Sequence, residues 1–292
     1  MWAGLGLGPG RTFSDVLSTS LVGGAEGWSS APSLPVAQGR LAATAQWLGD
    51  TAYVFGGYTV AADGAEVSTP QVYALHEDRW SVATSMPVPV DDAVSGVWRD
   101  GVVLVSGWHD RDNVAATQYF VPGEGWRTLP AFPGEPVFGH AGGVVRDTLV
   151  TCDGVGVDRS RAQPFFAVAQ CHALALGESP PRWRAVEHHG RPARYRVAAG
   201  PLERHGWIVF AGGTGRPYNY DGVGYDGIPA TAQREAFAYE VSTGAWIELP
   251  PLPRGSMDAR GLIEVDGALW LVGGMHDGGV VHDEVWMLRE LQ

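Results

Sequence analysis

The heptapeptide LVSGWHD at 104–110 ends with an imidazole beside a carboxylate, His109 and Asp110. The same pair closes LVGGMHD at 271–277, as His276 and Asp277. Five of the seven positions agree across a gap of 167 residues. A histidine next to an acid can move a proton near neutral pH, and imidazole also suits Zn, Cu or Fe. The chain has nine histidines, among them His140, His188 and His189, and Asp153 is a further acid for such work. No His-x-x-His spacing occurs, so the sequence points to no metal ligand set, and it carries no cofactor motif.

The cations are all arginine, 20 of them with no lysine. Arg40, Arg196 and Arg260 are candidates to hold a carboxylate with a planar pair of donors. The net charge of −12 leaves no basic stripe for a phosphate backbone, which excludes a nucleic-acid partner. The segment GRPYNYDGVGYDGIPATAQRE, 215–235, sets Tyr218, Tyr220 and Tyr225 among glycines, with Asn219, Asp221 and Asp226 between them. Aromatic faces with short polar groups suit a sugar ring or a peptide, and so long an insertion is commonly functional. Cys152 and Cys171 read as small buried thiols, with no disulfide framework.

The elements that position these residues are strands. Apolar runs are short and bounded by turn residues, and 41 Gly and 20 Pro exclude a helical protein. No run of 18 apolar residues spans a membrane, and the N-terminus has no secretory signal pattern. The chain as written therefore reads as cytoplasmic, or as exported if a signal segment precedes it. Strands ending in glycine recur at AYVFGGY (52–58), VVLVSGW (102–108), TLVTCDGV (148–155), IVFAGGT (208–214) and LWLVGGM (269–275). Their second glycines are Gly57, Gly107, Gly154, Gly213 and Gly274, separated by 50, 47, 59 and 61 residues. A second frame keeps step: Trp28, Trp80, Trp126, Trp183 and Trp246 each follow a large apolar residue by seven positions. Trp28, Trp126 and Trp246 begin the pattern Trp-x-x-x-Pro.

A four-stranded repeat near 50 residues, with paired glycines and a spaced tryptophan, resembles the kelch β-propeller family over the whole chain. The resemblance implies an all-β propeller of four-stranded blades, 1–292 as a single domain. Residues 1–30 form a partial blade, 31–259 four complete repeats and 260–292 a C-terminal blade, which favours six blades over five. In the first blade TFSDVL (12–17) is expected as a strand and GLGLGPG (4–10) as the remnant of another. Cys152 is read as standing in the first glycine's place of its repeat.

In that family the loops after the glycines and the starts of the first strands ring one mouth of the channel. Carried over residue by residue, the mouth is lined by Tyr58, Trp108, His109, Asp110, Val155, Thr214, His276 and Asp277. It is also lined by Arg40, Asp91, Asp92, His140, Arg196 and Arg260, with Tyr218 and Tyr220 folded over it. The expectation is a monomeric recognition module that binds a sugar acid, glycan or peptide there. The alternative is a sugar-acting enzyme similar to the sialic acid mutarotases, with His140, Asp153, His109 or His276 as acid or base. A copper radical oxidase is a minor alternative, since its Cys–Tyr crosslink has only Cys152 placed for it.

Overall fold

The computed structural model describes residues 1–6, 20–24, 26–36, 39–61, 65–218 and 220–288. The described residues form six antiparallel blades of a β-propeller, with one short 3-10 turn at Asp277–Gly279. No described helix is long and apolar enough to cross a membrane. The chain makes two compact units, Met1–Leu129 and Pro130–Gln292.

The first unit holds three blades. The first has three described strands, Trp2–Gly4, Ser20–Gly24 and Gly27–Ala31. The expected strand at 12–17 lies outside the described residues, and so does 7–10 of the glycine-rich remnant. The second blade runs Thr44–Leu48, Thr51–Phe55, Gln71–His76 and Arg79–Ser85, and the third Val94–Trp98, Gly101–Val105, Thr117–Val121 and Gly125–Thr128. Phe55 and Val72 of one blade meet Val102, Leu104 and Phe120 of the next in a continuous apolar layer. The unbroken apolar runs have the same cause in the second unit: the strand Trp207–Ala211 is buried throughout, because its alternate residues enter apolar layers on both of its faces.

The second unit repeats the plan. Its first blade is Ala141–Val145, Thr148–Cys152, Cys171–Ala175 and Arg182–Val186. The next is Ala198–Leu202, Trp207–Ala211, Ala236–Glu240 and Trp246–Leu249. The last has three described strands, Ile263–Val265, Ala268–His276 and Val280–Leu288.

Within each unit, neighbouring blades are joined at two radii. On the inside, the second glycine of a pair donates its N–H to the next blade: Gly57 to Val90 O (3.3 Å), Gly154 to Arg194 O (3.1 Å) and Gly213 to Ser256 O (2.8 Å). The first glycine makes this approach sterically possible. A Cβ on Gly212, at φ +71°, falls 2.2 Å from Ser256 O. On the outside, an indole donates to the residue four places after the preceding blade's tryptophan. Trp80 reaches Pro32 O (2.7 Å) and Trp126 the Thr84 hydroxyl (3.3 Å) in the first unit, and Trp246 reaches Glu187 O (2.8 Å) in the second. In the Trp-x-x-x-Pro pattern, Pro32 is thus the acceptor for the following blade's indole and Trp246 a donor to the preceding blade.

Two expectations about cysteine are corrected. Asp153, at φ 63°, takes the first glycine's place before Gly154, and Cys152 is the last residue of its strand. Cys152 and Cys171 are disulfide-bonded, not free thiols. Strand pairing sets them directly opposite one another, with Cα atoms 4.2 Å apart. A small hairpin, Val155–Val157 against Phe165–Ala167, fills the interval and hides the pairing from sequence spacing.

Two outcomes follow from these junctions. Gly212→Ala destabilises by clearly more than the ~1 kcal/mol of backbone strain alone, whereas Gly227→Ala, at φ +78° with open space around its Cβ, shows only that strain. Urea denaturation of the two variants separates them. The disulfide spans 19 residues of chain; by loop-closure entropy, reduction with dithiothreitol lowers unfolding free energy by about 3 kcal/mol, read in the same titration.

Candidate functional site

The residue just before each first strand bridges to the residue just past the glycines, as Tyr195 does with Thr214 and Met257 with Met275. The following residue lies in the left-handed region: Ala42, Asp92, Gly139, Arg196 and Asp258. In the second unit these residues are chained by backbone hydrogen bonds. Arg196 donates to Gly139 O at 2.8 Å, and Asp258 donates to Arg196 O at 3.3 Å. The turn that links the blades also sets the side chains of Arg196 and Asp258 together, with Arg196 Nη1 3.5 Å from the Asp258 carboxylate. Arg260 Nε reaches the same carboxylate at 3.3 Å.

Arg196 is buried between two rings, 4.7 Å from the centre of Tyr195 and 5.0 Å from that of Tyr218. Burial opposes its charge, but Asp258 and the surrounding tyrosines outweigh burial and hold its pKa well above the usual value. Burial also drives the Tyr195 and Tyr218 phenols well above their usual pKa, so both are neutral near pH 7. The fully buried Tyr195 hydroxyl has no hydrogen-bond partner among the described residues. Such a group is costly unless something satisfies it.

Adjoining this cluster is a cavity of about 400 Å³ lined by Gln163, Phe165, Thr214, Gly215, Arg216, Pro217, Tyr225, Asp226, Thr231 and Gln233. Phe165 and Tyr225 stack at 4.0 Å between ring centres. Tyr225 is near enough to act electrostatically on Tyr195 and Arg196. Arg216 pairs with Asp226, whose carboxyl is held below its usual pKa by the Ile228 N–H and by Arg216. The described residues of the 215–235 insertion make turns of their own. Tyr218 bridges Gly224, Val223 bridges Pro229, and Ala230 donates to Gly222 O at 2.9 Å. Asp277 Oδ1 accepts the Ala232 N–H at 2.7 Å and ties the insertion to the last blade. Tyr220, in the same segment, is half-buried.

The other expected site residues lie as follows. In the first unit Arg40 is buried and spends its guanidinium on Gly56 O, Gln71 O and Gln71 Oε1, all within 3.1 Å. Burial lowers its pKa. Tyr58 is buried in a bridge to Leu41. Trp108 donates its indole N–H to Asp110 O, and His109 lies 3.9 Å from the Asp110 carboxylate. Asp91 and Asp110 meet through Ser68, whose hydroxyl donates to Asp91 Oδ2 at 2.8 Å. In the second unit the left-handed turn makes Asp153 an anchor. Its oxygens accept from His188 (2.7 Å), His189 (3.0 Å) and the Arg194 N–H (3.0 Å), so the carboxylate is occupied from three directions. His140 is buried beside Gly154. His276 sits on the last blade's hairpin with its Nδ1 donating to Gly255 O.

Of the expected residues, the structure thus brings Arg196, Tyr218 and Arg260 together in the second unit. Tyr195, Asp258, Phe165, Gln163 and Gln233 were missed. The register explains the omission. The equivalent turn position is 42, 92, 139, 196 and 258. Arg40 lies two residues before it and Arg260 two after, so those two arginines are not counterparts of Arg196, while Asp258 is. The free Cys152 thiol that a Cys–Tyr crosslink requires is absent, because that sulfur is bonded to Cys171.

No protein-family model matches the sequence, and no curated protein matches it. Among solved structures, that of YjhT is similar: 16% identity and a TM-score of 0.77, covering 94% of this chain and 89% of that one. At that identity the likeness speaks for the fold, and the chain shares with YjhT a β-propeller architecture across nearly its full length.

Proposed function

We propose that this propeller is a recognition module whose second unit binds a sugar acid or acidic glycan in the cavity beside Arg196. The observation that carries the reading is one juxtaposition. A stacked aromatic pair, Phe165 and Tyr225, shares a cavity of about 400 Å³ with the Arg216 guanidinium, two amides and two threonine hydroxyls. A pyranose has an apolar face that stacks on an aromatic ring, and hydroxyls that need paired donors and acceptors. Gln163, Gln233, Thr214 and Thr231 supply those pairs. The volume is in the range of small-molecule sites. Arg216, with Arg196 behind Tyr225, favours an anion.

A second reading, a mutarotase- or epimerase-type enzyme, is favoured by Asp226, the cavity's lining carboxylate. Anomer exchange needs an acid or base within hydrogen-bond reach of the ring oxygen and the anomeric hydroxyl. Asp226 is held ionised, so its role there is that of a base. Cys152–Cys171 favours an oxidising compartment, where such bonds persist.

Calorimetric titration with a panel of hexuronic and nonulosonic acids tests the proposal. A binder is expected, with affinity reduced roughly tenfold or more in Tyr225→Ala and in Arg216→Met, losses of about 1.4 kcal/mol or more. His109→Ala, in the other unit, leaves affinity unchanged. Absence of any binder, or indifference to Tyr225→Ala, overturns the reading. For a binder, exchange NMR decides between the two functions: faster anomer exchange that is lost in Asp226→Asn makes the protein an enzyme.

Tyr195→Phe provides an independent outcome. Deleting a buried hydroxyl with no partner raises folding stability by about 1 kcal/mol. A stability loss in urea denaturation contradicts the reading of that hydroxyl as unsatisfied.

A further inference from the structure

We propose that His276, His282 and Glu284 form a site for a divalent transition-metal ion of the zinc type on the last blade. The three residues occupy one β-hairpin. His276 ends the strand Ala268–His276, and His282 and Glu284 lie two apart on the returning strand Val280–Leu288, hence on the same face. The 3-10 turn Asp277–Gly279 joins the strands, and Gly274 pairs with His282 in register. One ligand atom from each residue lies within 4.8 Å of the other two.

The nitrogen bookkeeping favours coordination. His276 Nδ1 donates to Gly255 O at 2.6 Å, which leaves its Nε2 with a lone pair. His276 is 3% exposed, and Nε2 is buried with no hydrogen-bond partner among the described residues. The nearest acid is Glu284, 3.5 Å from that nitrogen. His282 also has one nitrogen committed and one not: Nε2 meets the Ser256 hydroxyl at 3.1 Å, and Nδ1 is buried with no hydrogen-bond partner. The two imidazoles stack at 4.0 Å and 9°, with Trp286 5.5 Å from His282 on a nearly parallel plane.

Two imidazoles and a carboxylate are a zinc donor set, and three protein ligands leave a fourth position open. Glu284 is 42% exposed, so that position faces solvent. The Gly255 carbonyl and the Ser256 hydroxyl orient the two rings from behind, as outer partners do at metal sites. Bond lengths near 2.0–2.1 Å place tetrahedral ligand atoms about 3.3 Å apart. Glu284 can close that gap by a rotamer change, and His282 by turning out of its stack on His276, since an ion must lie in the plane of each ring that binds it. The second compact His–acid group, Asp153 with His188 and His189, is differently disposed. The His189 Nδ1 accepts the Arg191 N–H, so its Nε2 carries the proton it gives to Asp153. That group is a completed hydrogen-bond set.

The test uses the tag-free full chain, stripped with a chelator and titrated with zinc chloride by calorimetry, with thermal unfolding in parallel. One equivalent is expected to bind and to raise the melting temperature. His282→Gln and Glu284→Gln, both on the accessible side of the site, are each expected to weaken binding roughly tenfold or more with circular dichroism unchanged. Asp153→Asn is expected to leave zinc affinity intact. No zinc binding, binding indifferent to both hairpin variants, or binding lost in Asp153→Asn overturns the proposal. None of these readouts depends on the sugar-acid ligand.

Discussion

The structure depends on a close backbone approach between consecutive blades. A second glycine gives its N–H to the next blade, and the first glycine has no side chain to obstruct the contact. A blade is apolar on both faces and has no stability of its own, so it exists only while this junction holds its neighbour in register. Where the first glycine is replaced, the substitute must provide its own reason to be tolerated. Ser106 turns its hydroxyl onto Val114 O at 2.9 Å. Asp153 uses its carboxylate to gather His188, His189 and the Arg194 N–H. What reads in sequence as a lost glycine is, in Asp153, a stronger junction made with a side chain.

The candidate site is a by-product of the same turn. The left-handed residue before each first strand is forced by the crossing, whatever its type, and in most proteins such positions fall to glycine or asparagine. Here they include Arg196 and Asp258. The backbone strain of linking blades is therefore also the device that holds a guanidinium and a carboxylate in a buried, aromatic setting. Its cost is borne by the junction and not by the ligand.

The fold was legible in the sequence to a degree that the site was not. Strand limits, paired glycines and the spaced tryptophans all follow from local rules that repeat, so each occurrence checks the others. In the first blade the strand Ser20–Gly24 carries Leu21, the residue seven before Trp28, while the expected strand at 12–17 lies outside the described residues. Site residues obey no such repetition. Arg40 and Arg196 look alike in one dimension, but two residues of register send one into backbone carbonyls and the other among tyrosines. Gln163 and Phe165 belong to a hairpin of the neighbouring blade, and the Cys152–Cys171 bond spans that same hairpin, so neither relation is expressed as spacing. His282 and Glu284 carried a readable signal, an alternating His-x-Glu facing His276 across a tight turn, which a search for helical metal spacings passes over.

The outer indole contacts have a consequence for ancestry. Trp80, Trp126 and Trp246 each lodge against the blade before their own, so a sheet cut out at its strand limits leaves one indole without its acceptor and one acceptor without its indole. A segment running from one tryptophan's acceptor through the next tryptophan carries the joint whole. The piece of chain that can be copied or lost without damage is accordingly out of phase with the piece that looks like a structural module. Boundaries drawn by eye around the blades fall in the wrong places for tracing how these repeats arose.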